Sequence, residues 1–62
     1  MIGDFMIDVM VYNGPDHMGF AYVLEHSSLA GSFPSSKYAD AICFCDFLQA
    51  KGFNAFCRHR EG

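Results

Sequence analysis

The sequence predicts an α+β fold. It is a single small domain of β-β-α-β order, with a three-stranded antiparallel sheet (order 2-1-3) and one helix packed on one face. Three observations lead there. Residues 4–12 alternate with a period of two. Residues 36–51 carry apolar side chains at helical spacing and end at a glycine. Two further alternating stretches, 18–26 and 53–58, are bounded by turn-forming residues.

In the first strand, 4–12, Phe5, Ile7, Val9 and Val11 form one face and Met6, Asp8, Met10 and Tyr12 the other. The β-branched residues suit a buried pleat and a central position. Asn13-Gly14-Pro15-Asp16 is a run of turn formers, and Pro15 has no N–H to give a ladder. In 18–26, Met18, Phe20, Tyr22 and Leu24 alternate with Gly19, Ala21 and Val23. The short connection makes an antiparallel hairpin with the first strand the natural pairing.

Residues 27–35, rich in Ser, Gly and Pro, read as a loop. Ser35 or Ser36 then offers a hydroxyl as helix N-cap. The helix runs from about 36 to 51, and Gly52 stops it, since glycine enters the left-handed region at low cost. With Gly52 at C′, Phe53 is C″ and Leu48 is C3, the pair a Schellman stop brings together. In the third strand, 53–58, Phe53, Ala55 and Cys57 face one way and Asn54, Phe56 and Arg58 the other. The crossover from second strand to third is expected to be right-handed.

Composition excludes several function classes. The 62 residues are 52% hydrophobic and 18% charged, which excludes a disordered chain. So short a chain also excludes a large enzyme with a deep cleft. A domain this size buries only about 60% of the surface its unfolded chain exposes. Seven Phe and three Tyr are hard to hide within that limit, so part of the apolar surface is expected to meet a partner. The net charge is −3 and the pI about 5.3. Nucleic-acid binding is not expected, because it calls for a basic stripe or a pI above about 9. No apolar run approaches the ~20 residues that cross a membrane. The first eight residues carry Asp4 and Asp8 and no Lys or Arg, unlike a signal peptide. Three cysteines, an odd number, do not make a closed disulfide framework, so a reducing, cytoplasmic setting is expected.

At about 100° per residue, Tyr38, Ala41, Ile42, Cys45 and Leu48 form a core stripe on the helix, with Phe44 at its edge. Ala39, Cys43, Phe47 and Ala50 form a second stripe on the opposite side, flanked by Asp40, Asp46 and Lys51. Single exposed apolar residues are common, but Phe and Cys at the centre of an outer face suit a packing surface. The sheet repeats the pattern. If Phe5, Ile7, Val9 and Val11 meet the helix, the far face shows Met6, Met10 and Tyr12. It is joined by one set from the second strand (Phe20-Tyr22-Leu24 or Gly19-Ala21-Val23) and by Phe56 or Phe53. Methionine and aromatics are enriched at interaction sites. The expected binding residues are therefore Phe47, Cys43, Ala39, Ala50, Met6, Met10, Tyr12, Asp40 and Asp46.

Candidate chemistry is sparse. Cys43-Phe44-Cys45 and Cys57-Arg58-His59 together give C-x-C…C-x-H. Residues i and i+2 on a helix point about 200° apart, so Cys43 and Cys45 do not grip one metal ion. Cys57 and His59 share a strand face, where an imidazole could activate a thiol, but no oxyanion loop or orienting carboxylate accompanies them. His17 and His26, beside Asp16 and Glu25, read as solvated loop-tip residues. Arg58-His59-Arg60 gives little counterion release on an acidic chain. No catalytic residue, metal or cofactor is expected.

The leading expectation is a non-enzymatic protein-binding module, homodimeric, that acts as an inhibitor or regulator by occupying a partner surface. By analogy of size and acidity, this includes phage- or mobile-element-encoded inhibitors of host enzymes and defence complexes, anti-CRISPR proteins among them. Acidic residues such as Asp4, Asp8, Asp40 and Asp46 would steer it toward a basic site. The alternative is a small thiol- or metal-dependent protein using Cys43, Cys45, Cys57 and His59.

Overall fold

The computed structural model describes residues 5–61. Asp4, placed by sequence at the start of the first strand, lies outside the described residues. Strand β1 (Phe5–Tyr12) is the centre of a three-stranded sheet, flanked by β2 (Ser27–Pro34) and β3 (Asn54–Glu61) in the order β2-β1-β3. Both pairings are antiparallel. A six-residue helix, α1 (Phe20–Glu25), lies between β1 and β2. A 3-10 turn (Ser35–Lys37) leads into the main helix, α2 (Tyr38–Ala50), which packs across all three strands. The expected fold class is the observed one: α+β, order 2-1-3, one principal helix on one face.

The strand beside β1 is not the expected segment. Residues 18–26 read as a strand but contain α1, and 27–35, read as a loop, supplies β2. Local i,i+4 contacts explain the first difference. Val23 N–H donates to the Gly19 carbonyl and His26 N–H to the Tyr22 carbonyl, each at 3.0 Å. The Tyr22 and His26 rings stack at 3.9 Å and 15°, while His26 Nδ1 donates to the Tyr22 carbonyl at 2.9 Å. Ser27 Oγ donates to the Val23 carbonyl. These contacts favour a helical turn over the period-two alternation of the same residues.

Edge position explains the second difference. β2 has one free side, so Pro34 at its end removes no ladder bond. Ser32 and Gly31, poor strand formers, each have a specific neighbour here: Ser32 Oγ donates to Asp8 Oδ1 at 2.9 Å. Gly31 lies under the Phe44 ring, where a Cβ would come within 2.9 Å of Cε2. The register of β2 slips by one residue between Val9 and Met10. Val9 pairs with Gly31 and Met10 with Leu29, leaving Ala30 as the extra residue of a β-bulge.

The core lies between β1 and α2. Ile7, Val9, Ala41, Cys45 and Ala55 are buried together, with Phe5, Val11, Phe33, Phe44, Leu48 and Cys57 packed around them. The helix therefore covers the β-branched face of β1. Tyr38, expected in the core stripe, is 50% exposed at the first turn of α2. The helix start also differs from expectation: neither Ser35 nor Ser36 makes a side-chain cap, and the 3-10 turn after Pro34 takes the place of one. The stop is as read from sequence. Gly52 has φ of +97°, its N–H donates to the Gln49 carbonyl, and Phe53 N–H donates to the Leu48 carbonyl, both at 3.0 Å. This is the paired 5→2 and 6→1 bonding of a Schellman motif.

Candidate functional site

The outer face of α2 is where the expected binding residues gather. Ala39, Asp40, Cys43, Asp46, Phe47 and Ala50 are all exposed. Phe47, the largest of them, is 54% exposed, and the Lys51 ammonium sits 5.3 Å from its ring centroid. Cys43 and Cys45 point to opposite sides of the helix, one exposed and one buried. That is the 200° divergence expected of neighbours two apart.

The far face of the sheet does not offer what the sequence suggested. Met10 is only 9% exposed and Tyr12 only 6%, so both are withdrawn from partners; Met6 is half-buried. The chain itself covers them. Tyr12 folds against Gly14, donates its hydroxyl to the Pro15 carbonyl at 2.6 Å and meets the edge of Tyr22 from α1. Burial, with Tyr22 and Asp16 nearby, pushes the Tyr12 phenol up, so it keeps the proton it donates. Met10 is flanked across the ladder by Leu29 and Phe56.

At the centre of this face is a polar cluster that sequence reading missed. Asp8 is 5% exposed. Arg60 donates to it through Nε at 2.8 Å and Nη2 at 3.2 Å, and Ser32 Oγ completes the set. One carboxylate thus joins residues of all three strands. The Arg60 guanidinium bonded to Asp8 holds its carboxyl below the usual range; burial opposes this, and the Ser32 hydroxyl adds to it. Asp8 is therefore an internal charge, not one that steers a partner. The signal was present in the sequence: a lone carboxylate amid apolar strand residues calls for a cation, and Arg60 is one of only four Lys and Arg.

Other apolar side chains are also exposed, among them Phe20 and Phe53, which the sequence offered only as alternatives for the far sheet face. Phe20 is 69% exposed, Leu29 58%, Phe53 52% and Met18 40%. Leu29 was hidden by its assignment to a loop.

The surroundings of Cys57 do not activate its thiol. Cys57 and His59 share the helix-facing side of β3, but His59 packs beside Phe5 (5.1 Å between centroids) and Tyr38 (6.3 Å). Burial, then the neighbouring Cys45 thiol and Asp46, pushes the Cys57 thiol above its ordinary 9.0. A thiol ionised near neutral pH, as in a cysteine-dependent enzyme, needs the opposite shift. Among the described residues, no three His, Cys, Asp or Glu side chains gather as they would around a metal ion. Nor is any helix among them long and apolar enough to cross a membrane. Comparison with family models, with curated proteins and with solved structures finds no match to this chain.

Proposed function

We propose that this protein is a small non-enzymatic binding module that works as a homodimer, acting as an inhibitor or regulator by occupying a partner surface. The observation that carries this reading is the outer face of α2, where Phe47 stands exposed amid Ala39, Cys43 and Ala50, uncovered by any element among the described residues.

Charge chooses between the ways two such helices can meet. Parallel packing would set Asp40 on Asp40 and Asp46 on Asp46. Antiparallel packing about a two-fold axis near residue 45 sets Cys43 opposite Phe47 and brings Asp40 beside Lys51 of the second copy. Small opposite large, and acid beside base, is the arrangement that complementarity favours. Within the regulator class, size and acidity favour an inhibitor of the anti-CRISPR kind, encoded by a virus or mobile element. Its partner would be a basic site on a host complex.

The test is the molar mass in solution by light scattering across micromolar concentrations. The wild type is expected at twice its 6.9 kDa chain mass. Phe47→Asp is expected to be monomeric with an unchanged circular dichroism spectrum. A monomeric wild type, or a variant that stays dimeric, refutes the proposed interface. Co-purification from the native host then names the partner.

A further inference from the structure

Two cysteines reach one place in the core from different elements. Cys45, on α2, points inward and is 6% exposed. It belongs to the buried cluster with Val9 and Ala55 against which Cys57 packs. Cys57 stands on β3 directly across from Val9, on the helix-facing side. Gln49, one turn after Cys45, ties the two elements together. Its Nε2 lies 3.6 Å from Cys45 Sγ and donates at 2.9 Å to the carbonyl of Ala55, two residues before Cys57. Cys57 packs against the cluster that holds Cys45, near enough for the Cys45 thiol to help push the Cys57 thiol up, and both are free. Cys43, on the far side of the helix, is well placed to remain apart.

We propose that Cys45 and Cys57 form a modification site at which a hydroperoxide closes an intramolecular disulfide between α2 and β3. Cys57 reacts first, being the less buried of the pair. Its thiolate attacks the peroxide oxygen, the O–O bond breaks, and a sulfenic acid forms as the alcohol, or water from hydrogen peroxide, leaves. Cys45 sulfur then attacks the sulfenic sulfur; the S–S bond forms and water leaves. Two thiols lose two protons and two electrons in all, and the peroxide takes them up. The high pKa of Cys57 makes the thiolate scarce near neutral pH. The site therefore answers to strong or sustained oxidation, with a rate that climbs about tenfold per pH unit until the thiol titrates.

The site rests on the core alone and stands whether or not the helix face dimerises. Its test is peptide mapping of Cys43→Ser after exposure to hydrogen peroxide and alkylation. Trypsin cuts after Lys37, Lys51 and Arg58, placing Cys45 on the 38–51 peptide and Cys57 on 52–58. The expected result is one linked species of these two peptides from monomeric chains, released by dithiothreitol. The oxidised protein should melt about 10 °C or more above the reduced one, because the bridge constrains the unfolded chain. Three outcomes overturn the proposal. One is both thiols alkylated after a peroxide dose that oxidises them fully in urea. Another is a bridge that joins two chains. The third is an oxidised form that melts below the reduced one.

Discussion

On one face of the sheet Ile7 and Val9 lie fully buried beneath α2. On the other face Asp8 is nearly as hidden, yet Arg60 and Ser32 bond to it, with Arg58 across the ladder, and the Arg60 side chain is itself 48% exposed. The two faces of β1 are thus both largely buried and differently built. The first is closed by apolar area, at about 25 cal/mol per Å² removed from water, and depends on shape. The second is closed by a neutralised charge spanning three strands, and depends on protonation and geometry. A strand with both faces buried normally reads as continuously apolar. β1 does so at every position but Asp8, and that carboxylate can be buried because its cation is delivered by the neighbouring strand.

Three substitutions bear on that contrast, in descending order of effect. Ile7→Ala removes a fully buried side chain beneath the helix and should lower unfolding free energy by about 2–5 kcal/mol in urea denaturation. Asp8→Ala should lower it by about 1–2 kcal/mol at neutral pH, the smaller figure reflecting solvent screening of a half-exposed Arg60. If Asp8→Ala proves the costlier of the two, the second face is the stronger closure and the contrast is inverted.

The same pair adds a pH signature. The folded carboxyl titrates below its ordinary 3.8, so the unfolded state binds the proton more readily. The contribution of Asp8 is fully present above pH 3.8 and is lost as pH falls through the lower folded value. Wild type and Asp8→Ala should therefore converge in stability in strong acid, and a constant gap between them would show that the charge is not what matters. The smallest effect is expected for Gly31→Ala. The added methyl, 2.9 Å from Cε2, must displace the Phe44 ring, at a cost of about 1 kcal/mol.

Much of this was legible in the chain, and the illegible part has a physical cause. β1, α2, its stop at Gly52 and the inner side of β3 follow from patterns whose cause is local: a period, a cap, a left-handed glycine. β2 is a strand for reasons that lie elsewhere in the sequence. Ser32 is suited to it by Asp8, Gly31 by Phe44, and Pro34 by the absence of a neighbour on that edge. Nothing within Ser27–Pro34 announces those partners. The reverse holds for 18–26, where a convincing alternation is overridden by the Tyr22–His26 stack and the Ser27 hydroxyl bond. The outer face of α2 was readable because helical spacing maps residues to sides without knowledge of the rest. Met10 and Tyr12 were misread as available because what covers them is a turn, an unexpected helix and two cross-strand neighbours.

The bulge at Ala30 divides β2 into two segments of opposite parity. Leu29, Gly31 and Phe33 are spaced as if to share one side, yet Gly31 and Phe33 face the helix while Leu29 pairs with Met10 and faces away. A single surplus residue thus decides which side Leu29 serves, and it does so without disturbing the seat of Phe44 over Gly31. Changes of length upstream of the bulge would exchange Ser28 and Leu29 between the two faces, while Gly31 and Phe33 keep their places against Val9 and Ile7.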